Sequence, residues 1–113
     1  MFTDVKADAE ILTEEIFGPV SVISSFSSEE EVLRLCNKSS YGLNAGVFTN
    51  DINKALRFAN GLESGRVGIN CVNESSFSSP FGGIKESGQG RELGLEGIKS
   101  WLEMKTIFID TKP

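Results

Sequence analysis

Apolar positions fall into short runs, separated by polar and glycine-containing turns, and their period changes from one run to the next. After the breaker pair Gly18–Pro19, the residues Val20 to Phe26 (VSVISSF) are rich in β-branched and aromatic side chains, which predicts a first strand. Ser28-Glu29-Glu30-Glu31 then reads as a capping box, its acidic residues placed where they complement a helix dipole. Val32, Leu35 and Cys36 keep helical spacing until Tyr41–Gly42. Ala45 to Thr49 (AGVFT) predicts a second strand. Asn50 or Asp51 can cap a second helix, on which Ile52, Ala55, Leu56 and Ala59 share a face. Gly61 and Gly65 punctuate its end, and Val67 to Val72 (VGINCV) predicts a third strand. Strand, helix, strand, helix, strand at this spacing is a βαβαβ unit with a parallel sheet, so the fold class is α/β. Further on, Arg91 to Glu103 predicts a helix with Leu95, Ile98 and Leu102 on one side, and Thr106 to Ile109 (TIFI) predicts a fourth strand without a local partner.

A parallel sheet needs both faces covered, and two helices supply a limited cover. Another layer is therefore expected from outside the chain. At 113 residues the chain is one domain at most, and its 39% apolar and 24% charged residues are ordinary for a folded protein. The net charge of −5 leaves no basic footprint for nucleic acid or anionic lipid. No apolar run approaches the ~20 residues of a membrane helix, so neither nucleic acid nor membrane is an expected partner. Two cysteines, Cys36 and Cys71, do not make a disulfide framework, which points to a reducing, cytoplasmic setting. Histidine is absent, which removes Cys–His and Ser–His nucleophile pairs and the usual zinc sites together. Chemistry would rest on carboxylates, lysines, Tyr41 or a cofactor, and no metal ligand set is read.

The most conspicuous segment is the glycine-rich SPFGGIKESGQGRELG, Ser79 to Gly94. A dinucleotide fingerprint needs a third glycine where Leu93 stands after Gly88 and Gly90, and no lysine followed by Ser or Thr completes a phosphate-binding loop. The segment reads instead as a turn at which backbones pass closely. In Glu14-Glu15-Ile16-Phe17-Gly18-Pro19, two carboxylates beside an aromatic and a rigid turn are open to two readings. One is an acceptor for sugar hydroxyls next to a stacking platform; the other is a solvated acidic turn with a core phenylalanine. Cys71, in an apolar strand, reads as an inert buried thiol rather than a nucleophile, and Arg66 and Lys85 as surface or loop-anchoring charges.

Taken together, EEIFGPV, YGLNAGVFTND, GRVGINC and SPFGGIKESGQGRELGLEGI…MKT resemble, in order and spacing, the C-terminal portion of NAD(P)-dependent aldehyde dehydrogenases, from about Phe2 to Ile109. The resemblance implies that Glu15 binds the nicotinamide-side ribose hydroxyls of NAD or NADP and that Phe17 packs beside the nicotinamide ring. It implies that Asn70–Cys71 end a strand leading into a loop lining the substrate tunnel, with Ser75 and Phe81 around the aldehyde; Ser75 stands where many members carry an aromatic. It makes the glycine-rich segment a packed crossover, and it implies that Lys105 to Asp110 pairs with a neighbouring subunit. The family's nucleophilic cysteine, general-base glutamate and coenzyme domain precede the region that matches, and Cys71 does not fit the nucleophile's motif.

The expectation is thus a truncated aldehyde dehydrogenase-like chain. Residues 1–86 form part of the catalytic domain, 87–104 a glycine-rich crossover and helix, and 105–113 an oligomerisation-type strand. No residue of the chain is expected to be catalytic, and the isolated polypeptide is expected to be inactive. Two other readings stand beside it: a non-catalytic protein that docks on full-length relatives or on itself through 105–110, and the product of a relic reading frame.

Overall fold

The computed structural model describes residues 1–112 and contains two helices of two to three turns, a third of fewer than two, and two small sheets. Helix α1 (Glu29–Asn37) starts at Ser28, whose Oγ accepts from the Glu31 amide at 3.1 Å. The return bond of the predicted capping box reaches one residue further back, with Glu31 Oε2 accepting from the Ser27 amide at 2.7 Å. Strand β1 (Tyr41–Gly42) leads into β2 (Asn44–Val47). Helix α2 (Ile52–Gly61) is capped by Asp51, whose Oδ1 accepts from Asn53 and Lys54. Strand β3 (Arg66–Ile69) then pairs parallel with β2, Asn44 facing Arg66 and Val47 facing Ile69. Strand, crossover helix and parallel strand are thus present as predicted, and the class is α/β.

The rest of the predicted sheet differs. Val20 to Phe26 does not join β2 and β3; its one ladder contact is a parallel bridge between Val22 and Phe2, made by Phe2 N–Ser21 O and Ile23 N–Phe2 O bonds. The N-terminal residues claim those backbone groups before α1 begins. The chain after α1 enters an antiparallel pair instead, β1 with β4 (Ile84–Lys85).

The C-terminal helix is also shorter than its apolar spacing suggests. Helix α3 covers Gly94–Lys99, because Glu92 is taken into a bridge with Phe81 and Leu93 adopts a φ of 61° that no helix tolerates. Its apolar residues Leu95, Ile98 and the following Leu102 stay largely exposed, so the pattern lacks the tertiary support that lengthens helices. Residues 103–112 form no backbone hydrogen bond to another element, among the described residues.

α2 lies on β2 and β3 and buries Ala55, the one buried apolar side chain among the described residues. Glu29 ties α1 to α2 by a bidentate pair with Arg57, at 3.0 Å to both Nε and Nη2, with Lys54 at 3.5 Å. The radius of gyration is 19.6 Å, with extents of 78 × 33 × 25 Å. A compact chain of this length has a radius near about 13 Å. The secondary structure is therefore formed while most of its apolar faces remain open.

Candidate functional site

The chain turns back on itself after β3. Asn70 reverses direction in the left-handed region, φ 56°, and its amide locks the reversal to the end of β2: Oδ1 accepts from the Thr49 amide at 2.9 Å and Nδ2 donates to the Thr49 carbonyl at 3.0 Å. The chain then folds back over the two strands it has just left. A Cβ on Gly68 would stand 2.2 Å from the Cys71 carbonyl oxygen, and one on Gly46, its register partner, 2.5 Å from the Val72 side chain. The paired glycines thus admit the returning loop, which is what glycine inside a strand often marks.

Arg66 receives that loop. Its Nη2 donates to the Val72 carbonyl at 3.1 Å, Nη1 to the Glu74 carbonyl at 3.0 Å and Nε to Asn44 Oδ1 at 3.1 Å. Asn44 Nδ2 adds a second bond to Val72 O at 2.9 Å. The other face of the guanidinium lies over the Phe81 ring, 4.9 Å from its centroid. Phe81 is itself held by reciprocal backbone bonds with Glu92 at 2.8 and 2.7 Å. One cation therefore connects the start of the Asn73–Pro80 loop, which carries Ser75, to the aromatic residue just past its end. The loop-anchoring reading of Arg66 holds, while the part taken by Asn44 and by the Gly46–Gly68 pair was not read from the sequence. Two glycines in strands predicted to be apolar were the available signal.

The glycine-rich segment packs closely against the residue that precedes β3, as its composition predicts. A Cβ on Gly65 would lie 1.7 Å from Gly82 O, and Gly83 is buried.

Glu15 and Phe17 lie elsewhere, on the irregular segment after a 3-10 turn at Glu10–Leu12. Glu14 and Glu15 form part of the wall of an open cleft of about 1190 Å³ that also involves α1, β2 and α2. The Glu15 carboxylate has no hydrogen-bond partner among the described residues, and Phe17 presents a ring that is 94% exposed. Close turns at Gly18 and Val20, each donating to a carbonyl two residues back at 2.8 Å, hold the segment. Ser75 is exposed and Phe81 half-buried; neither lines that cleft, nor does Phe17. The four residues thus form two places, Glu15–Phe17 and Ser75–Phe81.

An NAD-type coenzyme is testable against the first place through its donor set. A ribose presents two adjacent hydroxyl donors, and a carboxylate with both oxygens free accepts two hydrogen bonds. The exposed phenyl ring of Phe17, two residues further on, offers an apolar face for a flat heterocycle. The residues fit that group.

A parallel β2-α2-β3 unit whose last strand returns through a fastened loop, with an acidic–aromatic motif on a separate segment, defines an α/β fragment. The aldehyde dehydrogenase family profile matches residues 1–107, and the chain belongs to that family. It is 49% identical over 111 residues to an aldehyde dehydrogenase of Enchytraeus buchholzi and 49% identical over 109 residues to bovine aldehyde dehydrogenase 1A1. Those alignments take in 98% and 96% of this chain but 22% of each relative. Among solved structures, the NAD+ complex of a Bacillus cereus aldehyde dehydrogenase superposes with a TM-score of 0.89 at 46% identity, over 97% of this chain and 22% of that one. The betaine aldehyde dehydrogenase of Staphylococcus aureus with NAD+ gives 0.90 at 45% identity, over 98% and 22%. The chain therefore spans about a fifth of the length of the relatives it matches, and its exposed apolar faces carry the structure of a segment.

Proposed function

We propose that these residues supply one side of an aldehyde dehydrogenase active site: a carboxylate and an aromatic ring for the nicotinamide end of NAD or NADP, and part of the wall around the aldehyde. The observation that carries this reading is the unpaired Glu15 carboxylate two residues from the exposed ring of Phe17, in a chain that belongs to this family. Glu15 accepts the two ribose hydroxyls, and Phe17 packs against the ring those hydroxyls position. The bound nicotinamide supplies a hydride acceptor, which permits oxidation of an aldehyde to a carboxylic acid. Ser75 faces the aldehyde from the loop held by Arg66, and Phe81 from just past its end. The family relatives in complex with NAD+ support NAD as coenzyme. The free thiols of Cys36 and Cys71 suit a cytoplasmic setting, and no described helix is long and apolar enough to cross a membrane.

A second reading rests on residues 105–110. Ile107, Phe108 and Ile109 are 70%, 93% and 80% exposed and their backbone has no partner among the described residues, so this segment adds to the sheet edge of a second copy or of a longer relative.

The coenzyme assignment is tested in a complete enzyme, with residues 1–107 grafted in place of the matching part of the Bacillus cereus protein. Glu15→Ala removes hydrogen bonds to a charged acceptor and is expected to raise the coenzyme KM by about tenfold or more. An unchanged KM for both NAD and NADP overturns the role given to Glu15.

A further inference from the structure

We propose that Arg66 is the positioning residue that sets the shape of the aldehyde pocket, by fixing the loop that carries Ser75 at a set distance from Phe81. The inference rests on the reading of Ser75 and Phe81 as pocket residues and adds the residue that relates them.

Ser75 has no tie of its own. Residues Asn73 to Pro80 are exposed, and between Val72 and Glu74 the bonds to other elements are those from Arg66 and Asn44 alone, among the described residues. The next attachment is at Phe77, whose carbonyl accepts from the Gly94 amide at 2.8 Å. Phe81 belongs to the other end, fixed through Glu92. Without Arg66 the stretch around Ser75 keeps only the Asn44 bond before it and the Phe77 bond after it, and the space between a serine hydroxyl and an aromatic ring would not have one size. The Arg66 guanidinium is the bridge. It spends its edge on two carbonyls of the loop and on Asn44, and its face on the Phe81 ring.

This use depends on the shape of the group as well as its charge. A guanidinium is a rigid planar fork whose donors diverge in one plane and whose face stacks on an aromatic ring. A lysine ammonium carries its three donors on one atom and has no planar face, so it cannot reach both loop carbonyls and Asn44 while also stacking on the Phe81 ring. The base of the bridge is rigid as well, since Arg66 opens β3 in register with Asn44 of β2. The acceptors are backbone carbonyls, so the arrangement is independent of which side chains the loop displays. Ser75 could be exchanged for a larger residue while the frame around it stays in place.

The test uses the same grafted enzyme, assayed with a series of aldehydes of increasing size. Arg66→Met is expected to raise the aldehyde KM by about tenfold, to leave the coenzyme KM unchanged, to leave kcat within about twofold, and to flatten the preference among aldehydes. Arg66→Lys is expected not to restore the KM, and it carries the test if Arg66→Met fails to fold. Full rescue by lysine reduces Arg66 to a surface charge and overturns the proposal. So does an aldehyde KM unaffected by either variant while Ser75→Ala and Phe81→Ala raise it. If neither Ser75→Ala nor Phe81→Ala changes the aldehyde KM, the underlying pocket reading fails, and the inference with it.

Discussion

The Lys85 ammonium donates to the Asn37 carbonyl at 2.7 Å, joining the antiparallel β4 to the last residue of α1 across 48 positions of sequence. The same nitrogen reaches Ser39 O at 3.0 Å and Glu63 Oε2 at 2.7 Å. Asn37 in turn donates from Nδ2 to Gly61 O at 2.7 Å and accepts from the Glu63 amide at 2.9 Å. The C-terminal ends of α1 and α2 are thereby satisfied by side chains, with a cation where the helix dipole favours one. In a chain with so little apolar burial, this polar knot holds the helices to the β1–β4 pair. Lys85→Met keeps the aliphatic stem and removes every donor; it is expected to lower stability by about 2 kcal/mol in urea titration. A midpoint equal to that of the parent chain would show that these bonds contribute nothing net.

Much of this was readable in advance, for identifiable reasons. Ser28, Asp51 and the helical spacing of α2 are local signals, and local signals placed both helices. The parallel pairing of β2 with β3 followed from the crossover rule. What failed depended on partners far along the sequence. Val20–Phe26 has strand chemistry, but Phe2 took its ladder bonds; Leu102 has helical spacing, but it stays largely exposed. Glu15 and Phe17 are proposed through a motif, whereas Arg66 was legible as a loop anchor without any indication of what it anchors. Its acceptors are backbone carbonyls, which every sequence has.

The helix–helix clamp gives stability a pH dependence. Hydrogen bonding from Arg57 holds the Glu29 carboxyl below its ordinary 4.5, with Lys54 contributing. Asp51 is held below 3.8, first by the Lys54 amide and then by that of Asn53. Carboxyls with depressed folded-state values bind protons more readily when unfolded, so their contribution is complete above those ordinary values and is lost as pH falls through the lowered ones. Thermal midpoints measured from neutral pH down to pH 3 should fall with acid, and Glu29→Gln should flatten that fall. Both sites are solvent-exposed, so salt should weaken the effect of Glu29. A profile that stays as steep in Glu29→Gln assigns the acid sensitivity to other carboxyls.

Self-association is expected of the chain in solution. Phe17, Phe77, Trp101, Met104 and Phe108 are each at least 89% exposed, far more apolar surface than a monomeric protein usually carries. Ile107→Pro removes one ladder donor from the terminal segment and should shift the sedimentation distribution toward smaller species if that segment pairs as a strand. Phe17→Ser, which removes a comparable exposed apolar group but no strand donor, separates edge pairing from general stickiness. Equal effects of the two substitutions would show that pairing through residues 105–110 is not the contact.

The 113-residue chain by itself is expected not to oxidise aldehydes. Covalent catalysis needs an activated thiolate together with donors for the developing oxyanion, and hydride transfer needs a held nicotinamide. The chain has no histidine, and neither Cys36 nor Cys71 has a side-chain hydrogen-bond partner among the described residues. Cys36 lies in the last turn of α1, the end of a helix that does not favour an anion. Cys71 is half-buried in the return loop, its carbonyl against Gly68 and its thiol without a base. In the proposed reading Glu15 and Phe17 address one end of a dinucleotide, which leaves most of the binding energy of that ligand unclaimed. Positioning is lost along with the nucleophile, and the two losses together exceed what either costs alone in a complete site. NADH and NADPH formation followed by absorbance, with a panel of aliphatic and aromatic aldehydes, should stay at the rate without protein. Turnover that disappears in Cys71→Ser would make Cys71 a nucleophile and overturn the prediction. Turnover that persists in Cys71→Ser and scales with the amount of chain through repeated purification would overturn it as well, and would place the chemistry on a carboxylate or lysine of this segment.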